Sequence, residues 1–219
     1  MARQPDVQSL PPVPEKPTGG FYATWILLTV LAVPTAFVLT LLPLSLTAHF
    51  VGDYIYVGGV RHITEDYLVV YFWVPLAGLL IGALQFLLLR QVLPRMGWWV
   101  PATLGGWLLG ALLVALPGWL GWTQAFRQDI RLAFLLMGLG IGAGQWPLLR
   151  RRLPRAAWWI PANLAGGGLL ALVTPGNSMG QFGLLPLGFF QACTTAAALA
   201  LLLGRGAPAT PAGDPKPGG

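Results

Sequence analysis

Long apolar runs dominate the chain, and their lengths predict helices that cross a membrane. Short polar segments separate six such runs, at residues 21–48, 67–89, 98–120, 131–149, 158–174 and 182–203. A helix needs about 20 apolar residues to cross the ~30 Å of hydrocarbon in a bilayer. The strict alternation of apolar and polar residues that is typical of a transmembrane β-barrel is absent from these runs. The pattern therefore predicts an all-α fold, a bundle of six transmembrane helices.

Composition agrees with a membrane location. Hydrophobic residues make up 55% of the 219 residues and charged residues 9%, whereas soluble domains carry about 25% charged residues. Residues 1–20 and 204–219 are rich in proline and glycine and are predicted to be disordered tails, so the membrane domain covers 21–203. The net charge of +6 does not require nucleic acid, because basic residues collect beside anionic lipid. The expected partner is the lipid bilayer.

The basic residues also predict an orientation. With six spans, ten lysines and arginines fall on the side that holds both tails and the loops at 90–97 and 150–157, and three fall on the other side. Basic residues favour the cytoplasmic side of a membrane. Both termini are therefore predicted to be cytoplasmic, in a multi-pass protein of a bacterial inner membrane.

Part of the sequence is an internal repeat. Residues 78–106 and 138–166 are identical at 18 of 29 positions without a gap. Each copy predicts a helix, a short basic loop and a returning helix, in repeat units at 67–122 and 131–174. Both copies enter the membrane from the same side, so the repeat of helical hairpins is parallel rather than inverted. Glycines one turn apart predict close helix packing in both units; they are Gly78, Gly82, Gly138 and Gly142.

The repeated loop carries arginines and tryptophans that suit a membrane surface. Arginine binds headgroups, and indole rings concentrate at the interface between lipid and water. The residues predicted at this interface are Arg90, Arg95, Arg150, Arg151, Arg152, Arg155, Trp98, Trp99, Trp158 and Trp159. The arginines either set the topology or bind anionic lipids or a protein partner in the membrane.

A third, divergent unit is suggested by the last and first helices together. The Gly188-x-x-Gln191 pattern matches Gly82-x-x-Gln85, and Trp25-Ile26-x-x-Thr29 matches Trp99-Val100-x-x-Thr103. Such a unit would complete a pseudo-threefold arrangement. Its spacing differs, because 14 residues separate Gln191 from the next arginine, against five in the other copies.

The segment Gln145-Trp146-Pro147-Leu148-Leu149-Arg150, followed by Trp158-Trp159, resembles a known sequence pattern. It is similar to uncharacterised bacterial multi-pass membrane proteins with repeated Gln-Trp-x-x-Leu-Arg and Trp-Trp units. The first copy departs from that pattern, since Phe86 replaces the first tryptophan. The resemblance covers roughly residues 78–172 and implies a membrane protein, but it implies no activity.

A few polar residues inside the apolar runs are the candidates for function. They are Gln85, Gln145, Gln191, Thr103 and Asn163. These side chains either join helices by hydrogen bonds or form a polar ligand site inside the bundle. His62 and Glu65 have helical spacing that a metal site would suit, but HExxH is absent and no metal or other cofactor is expected.

The remaining chemistry favours a protein that is not an enzyme. Apart from Arg131, which begins the fourth run, the apolar runs contain no charged residue, which ion-coupled pumps usually need, and no histidine that could activate a serine. Two hypotheses stay open: a non-enzymatic structural or interaction subunit, and a small-molecule binding or transport protein. A fully packed interior would favour the first, and a cavity lined by polar residues would favour the second.

Overall fold

The structure is a computed structural model that describes residues 17–93, 96–120, 130–174 and 184–204. Arg95 and most of both predicted tails lie outside these residues. The described part is almost entirely helical, as the sequence predicts. Its helices are α1 (Gly19–Val51), α2 (Thr64–Val92), α3 (Trp99–Trp119), α4 (Ile130–Leu149), α5 (Trp159–Val173) and α6 (Leu184–Gly204).

The helices follow the apolar runs, and proline does not end them. α1 contains Pro34 and Pro43, and α2 contains Pro75. Proline is tolerated inside membrane helices because neighbouring groups can satisfy the carbonyls that it leaves free. The first helix also starts earlier than predicted, at Gly19, within the segment assigned to the tail.

Five of the helices are long and apolar enough to cross a membrane. They are α1 to α5, the last of these together with the 3₁₀ turn Ala156–Trp158 that precedes it. α6 contributes a shorter apolar segment, Gly188–Gly204. The described chain is thus compatible with a membrane protein.

The helices form a closed circle. Each helix packs against the next one along the chain, and α6 packs against α1. Consecutive helices therefore alternate in direction around the circle. We call the end that holds Gly97, Trp98 and residues 150–158 the basic end, and the end that holds residues 52–63 the β-hairpin end.

A small β-hairpin joins α1 to α2, within the polar segment that separates the first two apolar runs. Strand β1 (Tyr54–Val57) pairs antiparallel with β2 (Val60–Ile63). The two turn residues, Gly58 and Gly59, have φ of 59° and 80°, as a two-residue hairpin turn requires. The Gly-Gly pair between apolar residues was the sequence signal for this hairpin.

Glycines set the distances between several helices. A Cβ atom at Gly82 would lie 3.2 Å from Val100 Cα, and one at Gly142 would lie 3.1 Å from Ile160 Cα. Val100 and Ile160 occupy the same position of the repeat, so α2 meets α3 as α4 meets α5. Gly78 and Gly138 face Leu104 and Leu164 in the same way. The predicted packing glycines therefore lie at the helix contacts of both hairpins.

Candidate binding cavity

Three tryptophans meet inside the circle near the basic end. Trp25, Trp99 and Trp159 have no solvent exposure. The Trp159 ring lies edge-on to both others, with centroids 6.5 Å from Trp25 and 6.0 Å from Trp99. We call these three residues the tryptophan layer. They share a core cluster with Leu89, Leu149 and Leu199, also fully buried, so packed side chains occupy this end of the interior.

The surroundings of each Trp-Trp pair differ from the prediction. Trp98 and Trp158 are 73% and 65% exposed, which suits an interface residue. Trp99 and Trp159 belong to the buried tryptophan layer, so the expectation that both indoles of a pair face the membrane surface is wrong. The physical reason is that the buried indole N–H groups have acceptors inside the protein.

Those acceptors are the glutamine side chains of the repeat. Trp99 Nε1 donates to Gln85 Oε1 at 3.3 Å, and Trp159 Nε1 donates to Gln145 Oε1 at 2.9 Å. In the sequence these are the same two positions, 60 residues apart. Each glutamine thus links the two helices of its own hairpin.

The same glutamines also link one hairpin to the previous helix. Gln145 Nε2 donates to Thr103 Oγ1 at 2.8 Å and approaches Gln85 Oε1 at 3.4 Å. Gln85 Nε2 donates to Thr29 Oγ1 at 3.3 Å. Between α5 and α6, Gln191 Nε2 donates to Asn163 Oδ1. The structure therefore brings together all five polar residues that the sequence singled out.

On α6, the acceptor for a buried tryptophan is Thr195, whereas the sequence pattern matched Gln191 to Gln85. Trp25 Nε1 donates to Thr195 Oγ1 at 3.1 Å. Gly188 lies against Val30, one turn beyond the contact that matching Gly188 to Gly82 predicts. If Thr195 is aligned with Gln85, then Gly188 aligns with Gly78 and Leu199 aligns with Leu89. The suggested register of the third unit is thus wrong by one helical turn.

We call this set of hydrogen-bonded side chains, next to the tryptophan layer, the polar layer. It consists of Thr29, Gln85, Thr103, Gln145, Asn163, Gln191 and Thr195. Sequence reasoning missed Thr195, because a threonine in an apolar helix commonly bonds to its own backbone. Thr195 does so as well, through Gln191 O at 2.7 Å.

Beyond the polar layer, towards the β-hairpin end, the interior holds a cavity of about 320 Å³. All six helices contribute to its wall. Six members of the polar layer form one boundary, and the rest is mainly apolar, including Val33, Val74, Ala111, Phe134, Met137 and Ile141. Among the described residues, the wall includes no charged side chain.

One polar atom in this wall is unpaired. Trp107 is 4% exposed, and its Nε1 is a buried donor with no hydrogen-bond partner among the described residues. Its ring lies edge-on to Trp73 at 6.0 Å. A buried unpaired donor costs about 1–3 kcal/mol, so this N–H is a candidate contact for a ligand.

The predicted interface arginines lie at the surface of the basic end. The exposed side chains are Arg90, Arg150, Arg151, Arg152 and Arg155. The Arg150 guanidinium lies 4.8 Å from the centre of the Trp146 ring. These residues are therefore separate from the cavity.

The metal alternative gains no support from the described residues. His62 lies in β2, and the side chain of Glu65 is outside the described part. No group of three histidine, cysteine, aspartate or glutamate side chains occurs among the residues that the structure describes.

No family model, no curated protein and no solved structure matches the chain.

Proposed function

We propose that this chain is a multi-pass membrane protein that binds a small, uncharged and mostly apolar molecule in its central cavity. The cavity of about 320 Å³ carries the proposal. Protein interiors rarely leave voids larger than a water molecule, and ligand sites of roughly 300–1,000 Å³ are mostly apolar with a few polar groups. A packed interior is what a purely structural or interaction subunit would need, so the cavity favours binding.

The wall limits the chemistry of the ligand. Its apolar side chains suit a hydrocarbon body, and burial of a charge there without a partner would be costly. The unpaired Trp107 N–H suits one hydrogen-bond acceptor, such as a carbonyl or ether oxygen. On the basic-end side of the polar layer, the tryptophan layer fills the interior. This supports a binding pocket that is closed at one end, rather than a pore that runs through the bundle.

The same proposal places all six helices across the membrane as three hairpins, the third formed by α6 and α1. The 21 residues of α6 give a length of about 31 Å, which is enough to cross the hydrocarbon. α6 also lies between α5 and α1 in the circle, so it has the same surroundings as its neighbours.

We further propose that the basic end faces the cytoplasm of a bacterium. The ten-to-three division of basic residues supports this orientation. Fusion of alkaline phosphatase within residues 175–181 should give active enzyme, and fusion within 150–157 should give inactive enzyme. The reverse pattern would contradict the orientation, and equal activities would contradict a crossing of the membrane by α5, which lies between the two sites.

The ligand proposal can be tested with two matched probes, 2-acetylnaphthalene and 2-ethylnaphthalene. They differ mainly in the ketone oxygen, so a free Trp107 N–H should favour the ketone by roughly fivefold, as expected for one hydrogen bond of about 1 kcal/mol. Probe binding to the protein in mild detergent is measured by fluorescence. Trp107→Phe should bind both probes equally.

A second variant tests the cavity itself. Ala111 lines the cavity, and Ala111→Phe should abolish binding of both probes without unfolding the protein. Leu112→Phe is the matched control, because Leu112 is 45% exposed on the outside of the same helix. If Ala111→Phe and Leu112→Phe bind the probes equally, the cavity is not the site.

A further inference from the structure

We propose a second site, on the outer surface of the circle, that binds one phospholipid with an anionic headgroup. A groove of about 560 Å³ runs between α5 and α6 near the basic end. Its walls are Pro161, Ala162 and Ala165 from α5, and Thr194, Ala197, Ala198, Leu201 and Leu202 from α6. The site rests on the proposed membrane location, but it is separate from the central cavity.

The groove exists because the two helices cannot approach as α3 and α4 do. At the α3–α4 contact, a Cβ atom at Gly144 would lie 2.5 Å from Gly106 Cα, and one at Gly110 would lie 2.9 Å from Met137 Cα. Backbones in such contact leave no room for an acyl chain. At the corresponding places between α5 and α6, Leu170 replaces Gly110 and Thr194 replaces Gly144.

Small side chains then line the gap instead of filling it. Ala162, Ala165, Ala197 and Ala198 present methyl groups to it. Ala165 and Ala197 are exposed at its rim, so the groove opens to the outer surface of the bundle. An apolar furrow with this opening suits the hydrocarbon of a lipid.

The end of the groove supplies the charge. Pro154, Arg155 and Trp158 lie there, and Arg151 and Arg152 are exposed in the same loop. Arg155 has φ of 63°, a left-handed conformation that is uncommon outside glycine. A cation at the end of an apolar groove is complementary to a phosphate headgroup above an acyl chain.

The complementary occupant is therefore a whole lipid rather than a free anion. A free phosphate would use the arginines and leave the apolar furrow empty. A zwitterionic phospholipid would use the furrow, but its headgroup cation would offset the attraction between its phosphate and Arg155. An anionic phospholipid uses both features.

The test measures lipids retained by the full protein in mild detergent by native mass spectrometry. The protein is exposed to an equimolar mixture of phosphatidylglycerol and phosphatidylcholine with identical acyl chains. The wild type should retain phosphatidylglycerol by about fivefold over phosphatidylcholine, the ratio expected from one surface arginine. Arg155→Gln should remove this preference, and Arg90→Gln, an exposed arginine away from the groove, should preserve it.

A second pair of variants separates the groove from the charge. Ala165→Phe, on the α5 wall, should lower retention of both lipids, and Ala197→Phe should do the same from the α6 wall. Leu169→Phe is the control, since Leu169 is exposed on α5 but does not line the groove. Thermal unfolding shows that each variant is folded.

Two results would overturn the lipid site: equal losses of preference in Arg155→Gln and Arg90→Gln, or wild-type retention in both groove-filling variants. Retention of phosphate ions in place of lipid would also contradict it. Binding of the naphthalene probes in the central cavity is measured independently, so failure of one site does not imply failure of the other.

Discussion

The α3–α4 and α5–α6 contacts occupy comparable places in the circle of helices, but they are packed differently. At α3–α4, glycines on both helices bring the backbones together: Gly106 and Gly110 face Gly140 and Gly144. At α5–α6, a single glycine, Gly166, makes a comparably close contact, with Gln191 Cα. Larger residues at the other places hold the helices apart and open the outer groove. The number of glycines at a contact thus decides whether it is closed or can admit another molecule.

The largest effect is expected from making the first contact resemble the second. Gly144→Thr puts threonine where the α5–α6 contact has Thr194, and its side chain would overlap Gly106. Overpacking at a backbone contact should lower the free energy of unfolding by about 3 kcal/mol. The measurement is thermal unfolding in detergent.

Gly105→Thr is the matched control for this substitution. A Cβ atom at Gly105 would have no atom within 4 Å, so only helix propensity changes, by less than about 1 kcal/mol. If Gly105→Thr is as unstable as Gly144→Thr, close packing does not explain the difference between the two contacts.

A smaller loss of stability is expected from replacing the glutamines that form hydrogen bonds at these two contacts, Gln145 and Gln191. Gln145→Leu would leave the buried Trp159 N–H without its acceptor, at a cost of about 2 kcal/mol. Gln191 is less buried, and its side chain donates a hydrogen bond to Asn163 Oδ1. Gln191→Leu should therefore cost about 0.6 kcal/mol, the average for hydrogen bonds between membrane helices.

The double variant Gln145→Leu/Trp159→Phe sharpens this comparison. Removing both partners avoids an unpaired buried donor, so the second substitution should cost less in the Gln145→Leu background than alone. Additive losses of unfolding free energy would mean that the hydrogen bond between the two residues contributes little.

The sequence predicted the helices well because their signal is local. Apolar runs and loop residues mark the ends of α1 to α6 to within a few residues, and the duplicated glycines identify the contacts inside each hairpin. The buried position of Trp99 and Trp159 could not be predicted in the same way. An indole suits both a lipid interface and a protein interior, and only the position of Gln85 and Gln145 across the hairpin decides between them.

The cavity and the register of α6 could not be predicted from the sequence either. A void depends on how all six helices meet, which no single helix encodes. Thr195 and Gln191 are both polar residues on α6, one turn apart, and matching by residue type selects the glutamine. In the structure Trp25 contacts the threonine instead. Which of the two residues it meets depends on the position of α6 along the axis of α1.

A pair of substitutions at Thr195 tests this register. Thr195→Gln puts at this position the residue found at 85 and 145, where its side-chain oxygen can accept from Trp25 Nε1 and its extra volume can enter the cavity. Thr195→Leu has a similar volume and no acceptor. Thr195→Gln should be more stable than Thr195→Leu by about 1 kcal/mol. Equal stabilities, measured by chemical unfolding in detergent, would contradict the register.

The contact between α1 and α6 affects how the protein is made. α1 is synthesised before the other described helices, yet the acceptor for its Trp25 N–H, Thr195, belongs to the last of them. Until α6 is present, α1 has only one of its two neighbours and the Trp25 N–H lacks its acceptor. The circle of helices can therefore close only after α6 has been synthesised.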